Sequence, residues 1–152
     1  MKVHTVLIFL CSFLALPVAA ATATSLLDLV DVTTAKPDAI RQAVQNGADP
    51  NATDSVGRTA LMLAAAWNPD PDAIAALVKA GARVNARGPQ GWTALMMAAY
   101  NNPNPQVVIG LLKAGADPKL RSQAGRTAFV YGQDNPALRG TEAMRMLAQA
   151  GR

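Results

Sequence analysis

The chain has 152 residues, 51% of them apolar, with 14 Lys and Arg against 10 Asp and Glu. A formal charge of +4 is spread along it without a basic stripe or interleaved aromatics, which argues against nucleic acid as a partner. A single Cys (Cys11) and a single His (His4), both near the N-terminus, leave little material for disulfides, metal sites or catalytic triads.

Read in chain order, the first residues form an address. Lys2 supplies a positive start, Thr5 to Leu16 is almost wholly apolar, and Pro17 breaks the run before Val18-Ala19-Ala20-Ala21-Thr22-Ala23. This is the three-part pattern of a secretory signal peptide over residues 1–23, with cleavage expected after Ala20 or Ala23. The apolar run is shorter than the ~20 residues of a membrane span, and no second one follows. The mature chain is therefore expected to be soluble and periplasmic or secreted. Cleavage removes Cys11, His4 and Lys2, leaving 13 basic against 10 acidic residues and no histidine. Most enzyme classes fall away with them, and the expectation is a protein that is not an enzyme.

The remaining 24–152 are governed by a repeat. Residues 57–65 read Gly-Arg-Thr-Ala-Leu-Met-Leu-Ala-Ala, and residues 91–99 read Gly-Trp-Thr-Ala-Leu-Met-Met-Ala-Ala. A weaker copy, Gly-Arg-Thr-Ala-Phe-Val-Tyr, starts at Gly125, so the starts are 34 residues apart. Between 57–90 and 91–124, 16 of 34 positions are identical, where chance gives about three. A second anchor keeps the interval: Gly47-Ala48-Asp49, Gly81-Ala82-Arg83 and Gly115-Ala116-Asp117. Fixed periods of this size signify a stacked repeat architecture.

Each unit reads as two short helices. Before the first full copy, Leu26 to Val30 and Asp38 to Gln45, the latter opened by Pro37, give an incomplete pair. In the central copy Thr93 is a good N-cap for a helix from Ala94 to Tyr100. Asn101-Asn102-Pro103-Asn104-Pro105 stops that helix, since proline lacks the N–H and disfavours helix in the residue before it. Pro105 suits the first turn of a second helix reaching Ala114, with Val108, Leu111 and Leu112 on its apolar face. Gly115 ends it where a positive φ is wanted. Residues 116–125 form a polar, extended excursion before the next Thr. Neither helix is long enough to be stable alone, so the units must bury their cores against one another.

The Gly-x-Thr-x-Leu-x-x-Ala-Ala start, the Val-Val-x-x-Leu-Leu second helix and the Gly-Ala-Asp-x-Asn-Ala exit resemble the ankyrin repeat, from about Leu26 to Arg152. The resemblance implies an all-α solenoid of stacked helix–turn–helix units with projecting β-hairpin-like loops. Four units are expected: an N-terminal cap at 24–56, internal units at 57–90 and 91–124, and a C-terminal cap at 125–152. The sequence departs from the family pattern in three ways. Ala60, Met62, Ala94 and Met96 replace the usual proline and histidine, so the Thr–His hydrogen bond is missing. The period is 34 rather than 33, with the extra residue placed in the Asn-Pro-x-Pro turn as a cheap surface insertion. The last unit is degraded, with Val130-Tyr131-Gly132 in its first helix and a longer turn from Asp134 to Gly140.

Candidate chemistry is sparse. Met144-x-Met146 could offer thioethers to Cu(I), but residues two apart leave a helix on different sides, and Met62 and Met96 sit where the stack packs. Asp28, Asp31 and Asp38 lie at helix ends, where Asp caps or complements the dipole. Asn51-Ala52-Thr53 matches a glycosylation acceptor and coincides with the unit's exit loop. The aromatics are more informative. In the ankyrin arrangement the residue after the Gly of each unit lies at the foot of the hairpin facing the concave side, and here these are Arg58, Trp92 and Arg126. The end of the first helix is exposed and carries Trp67 in one unit and Tyr100-Asn101 in the next. Arg58, Trp67, Trp92, Tyr100, Asn101 and Arg126 are thus the candidate partner-binding residues, with Trp92 projecting beside the hairpin base. No cofactor and no metal are expected. The partner is expected to be an unidentified co-exported protein held by a monomer without a membrane span. The competing reading is a small periplasmic enzyme or metal-handling protein on the same scaffold, which needs two convergent polar groups in a pocket.

Overall fold

The computed structural model describes residues 25–29 and 31–151. The expected leader, Val30 at the end of the first helix, the Asp28 side chain and Arg152 lie outside the described residues. Eight α-helices follow in order: α1 (Leu26–Leu29), α2 (Pro37–Gln45), α3 (Ala60–Trp67), α4 (Pro71–Lys79), α5 (Ala94–Asn101), α6 (Pro105–Lys113), α7 (Ala128–Gln133) and α8 (Glu142–Ala150). Short 3-10 turns lie at Pro89–Gly91 and Pro136–Leu138. Helix packs on helix in two layers, α3–α5–α7 and α2–α4–α6–α8, joined by the contacts within each pair. Among the described residues there is no strand, only the isolated bridges Ser25–Asp49 and Thr53–Thr59. This is an all-α repeat solenoid.

Local chemistry sets the helix ends. Thr59 and Thr93 accept from the amides of Met62 and Met96, each at 3.3 Å, satisfying donors that no helix turn can reach. Pro37, Pro71 and Pro105 open the second helices. Gly115 follows α6 with φ +91°, a conformation that a Cβ would penalise. Ala64, Ala65, Ala98 and Ala99 are fully enclosed and let α3, α5 and α7 approach closely. Met62 and Met96 are buried in this core beside Leu61 and Leu95, in keeping with the packing role read from sequence.

The Asn-Pro turns, expected to take an inserted residue cheaply at the surface, carry a column of buried hydrogen bonds between units. Asn68, Asn102 and Asn135 are 2%, 0% and 6% exposed. Each side-chain amide donates twice to the preceding pair. Asn68 Nδ2 reaches the carbonyls of Val32 and Ala35, at 3.1 and 2.9 Å. Asn102 reaches Ala65 and Asn68, both at 2.9 Å. Asn135 reaches Ala99 and Asn102, both at 3.0 Å. Each Oδ1 accepts from the amide two residues on: Asp70, Asn104 or Ala137. Ala65 and Ala99 sit in the last turns of α3 and α5, whose carbonyls have no intrahelical partner. The column thus satisfies orphan acceptors of one unit with the side chain of the next. At its far end the acceptors that would continue it are already engaged, Gly132 O by the Asn135 amide and Asn135 O by the Leu138 amide.

A second column ties the loops. Asn51 donates to Gly81 O at 2.9 Å and accepts from Arg83 N at 2.8 Å, and Asn85 does the same with Gly115 O and Asp117 N. This gives the Asn51 amide a structural use within the exit loop.

Candidate protein-binding groove

The loops that precede α3, α5 and α7 close by the same bond in three versions: Asp54 N to Arg58 O, Gly88 N to Trp92 O, and Ser122 N to Arg126 O. The side chains at these closures differ. Asp54 Oδ1 accepts from the amides of Val56 and Arg58, at 3.0 and 2.8 Å, while Oδ2 takes Arg58 Nε at 2.8 Å. Burial pushes the Asp54 carboxyl up, but the bonds from the Arg58 amide and guanidinium and the Val56 amide outweigh it and hold the group below its usual range. Arg58 is thereby fixed against its own loop. At Gly88 an added Cβ would come within 2.7 Å of Met62 Sδ. Ser122 Oγ bonds to Tyr131 Oη at 2.9 Å, out of solvent.

Tyr131 organises the aromatics. Its ring centroid is 4.2 Å from that of Trp92, with planes 35° apart. Tyr100 meets both edge-on, at 5.7 Å from Trp92 and 6.0 Å from Tyr131. Trp92 is consequently half-buried against the core rather than projecting freely beside the hairpin base. The reason is that Tyr131, at the position equivalent to Met97 one unit earlier, presents a flat ring for it to lie on. Arg126 also lies over that ring, its Cζ 5.9 Å from the centroid, with Asp134 at 3.9 Å.

Between the Arg58 loop and Trp92 a groove of about 300 Å³ opens. It brings together four of the six residues singled out from the sequence: Arg58, Trp92, Tyr100 and Asn101. Trp67, 56% exposed at the end of α3, and Arg126 do not line it. Val56, Pro89, Gln90 and Met97 complete the walls, and sequence reasoning passed over all four. Val56 is 60% exposed and Tyr100 47%, so the groove rim is apolar and open. Gln90, at the loop tip, holds φ +54°, unusual for a residue with a Cβ. Its carbonyl takes the Gln123 amide at 2.8 Å, which ties the tip to the next loop. In the other helix layer a smaller groove of about 260 Å³ runs between α4 and α6, past Ile74, Val78 and Lys113.

Neither groove is built for catalysis on the pattern of paired acid and base. Among the described residues no group of three or more His, Cys, Asp or Glu could hold a metal ion, and no helix is long and apolar enough to cross a membrane. The main groove presents a fixed guanidinium, two aromatic rings, a thioether and amides, the composition of a recognition surface.

Comparison with curated proteins gives no match. A family model described as ankyrin repeats in three copies matches residues 30–122, a span that holds every residue lining the main groove. That span is more than half of the chain, and with the paired, stacked helices it places the protein in the ankyrin-repeat family, whose repeats mediate protein–protein interaction.

Proposed function

We propose that the protein is an exported binding module that holds a co-exported protein in the groove between the Arg58 loop and Trp92. The observation that carries this reading is the convergence of Arg58, Trp92, Tyr100 and Asn101 on one open, preformed surface. Their supports are internal: Asp54 fixes Arg58, and Tyr131 fixes Trp92. A partner docking there has few side chains left to order, which lowers the entropic cost of association. The binding unit is a monomer, made of a cap at 24–56, internal units at 57–90 and 91–124 that supply the groove, and a cap at 125–152.

Export rests on the leader pattern of residues 1–23. Intact-mass measurement of protein from the periplasm should show cleavage after Ala20 or Ala23, and a retained Met1 defeats the idea. The binding site is tested by placing a photo-crosslinking amino acid at Asn101 and, separately, at Lys113 in the other groove. Crosslinks from Asn101 to a single protein, absent from Lys113, are expected. Crosslinking from Lys113 alone would put the interface on the wrong layer.

A further inference from the structure

We infer that the segment bound in this groove is acidic, with carboxylates flanking a large apolar side chain; this rests on the groove being the binding site. The argument is the distribution of charge. The loop segment 49–59 carries Asp49 and Asp54 against Arg58. The next, 83–92, carries Arg83 and Arg87 with no acid, and the last, 117–126, carries Lys119, Arg121 and Arg126 against Asp117. The three loops together hold six cations and three carboxylates, while the rest of residues 25–151 holds six cations and seven carboxylates. The positive excess therefore lies on the loops, the first two of which line the groove. In the third, Arg126 is partly offset by Asp134 at 3.9 Å.

Of the three loop acids, Asp54 is neutralised by a loop cation, Arg58, whereas Asp49 and Asp117 are held by backbone amides. Asp54 bonds to Val56 and Arg58, Asp49 Oδ1 accepts from the Asn51 amide, and Asp117 Oδ1 accepts from the Lys119 amide. The Arg87 guanidinium crosses to the Arg121 carbonyl, and Arg121 Nη1 reaches Gly125 O at 2.8 Å. Both are thus held at the loops by neutral acceptors that leave their charge uncancelled. The first loop is net −1 and the second and third are each net +2, so carboxylates are drawn to the Trp92 side of the groove, away from the Arg58 loop. The pocket between Val56, Met97 and Tyr100 takes the apolar side chain. A nucleic acid strand fits less well, because Trp92 has a ring face against Tyr131 and Tyr131 itself is buried.

The test is selection of a random peptide library on the immobilised mature chain, followed by titration of the enriched peptides. Enriched sequences should carry net negative charge and at least one large apolar residue. Their affinity should drop about tenfold with Arg87→Gln and Arg121→Gln combined, and fall with added NaCl. It should also drop with Tyr100→Ala, with circular dichroism confirming that the variants fold. Neutral or basic peptides that still depend on Tyr100 would overturn the charge inference and leave the groove reading intact. Peptides indifferent to Tyr100→Ala, or no enrichment at all, would overturn the groove reading and this inference with it. A dT20 oligonucleotide binding more tightly than any peptide would overturn both.

Discussion

Trp92 lies on Tyr131 with ring centroids 4.2 Å apart, so the central aromatic of the groove is also a tie between two successive helix pairs. Trp92→Ala should therefore lower both stability and affinity. We expect a stability loss of about 1–3 kcal/mol, less than a fully buried Trp because one side of the ring faces the groove. Tyr100→Ala should cost less than ~1 kcal/mol of stability, since Tyr100 is half-exposed, while still weakening binding about thirtyfold. Calorimetric titration and a melt on both variants separate the roles. Equal stability losses would mean that Tyr100 is a packing residue rather than an anchor.

Asn102 is the central member of the buried amide column. Asn102→Ala leaves Ala65 O, Asn68 O and the Asn104 amide without their partners. With ~1–3 kcal/mol for each buried group left unpaired, and some relief from water, a loss of about 2–4 kcal/mol is expected in a urea titration. Asn102→Asp adds a pH signature. A carboxylate facing two carbonyls has its folded pKa raised above its unfolded value near 3.9. The deficit relative to the parent should thus be smallest below pH ~4 and grow as pH rises towards 7. A deficit independent of pH would show that the column opens to solvent.

Asp54 works in the opposite sense. Its folded pKa lies below the ordinary value, so its contribution is complete above the unfolded pKa near 3.9 and is lost as pH falls through the folded pKa. Asp54→Asn should flatten part of the acid limb of a melting-temperature profile between pH 2 and 6. It should also weaken binding at neutral pH by freeing Arg58. An unchanged acid limb would assign that slope to other carboxylates.

Leu95 is fully buried in the core, and Leu95→Ala should cost ~2–5 kcal/mol. Gln123 is exposed and contributes only its backbone amide to a loop bond, so Gln123→Ala should stay within about ±0.5 kcal/mol. Similar shifts for the two would displace the core from where it is drawn.

The elements set by short-range chemistry were legible from the residues alone. The Thr93 cap, the Pro105 start and the positive φ of Gly115 depend on neighbours within a few positions, and local rules reach them. The asparagine column was not legible. Its partners lie 33 to 37 residues away, and Asn-Pro taken locally signals only a turn. The groove was half legible. Template position pointed to Arg58, Trp92, Tyr100 and Asn101, but the tilt of Trp92 depends on a tyrosine in the next unit that reads as mere degradation of the repeat. Val56 and Gln90 carry no sequence signal; loop closure alone puts them at the rim.

The closed end of the asparagine column constrains how such a chain could lengthen. A tandem duplication of 34 residues within the interior would give every incoming Asn the two carbonyls it requires, because Ala65 and Asn68 are matched by Ala99 and Asn102. The same 34 residues appended beyond Gly140 would bring an amide to Gly132 and Asn135, whose oxygens already take the Asn135 and Leu138 amides. In the interior an added Asn meets carbonyls with no other amide on them. At the last turn it would have to share oxygens that already take one, as Asp31 O shares the Thr34 and Ala35 amides. The stack therefore accommodates growth more readily in its middle than at that edge.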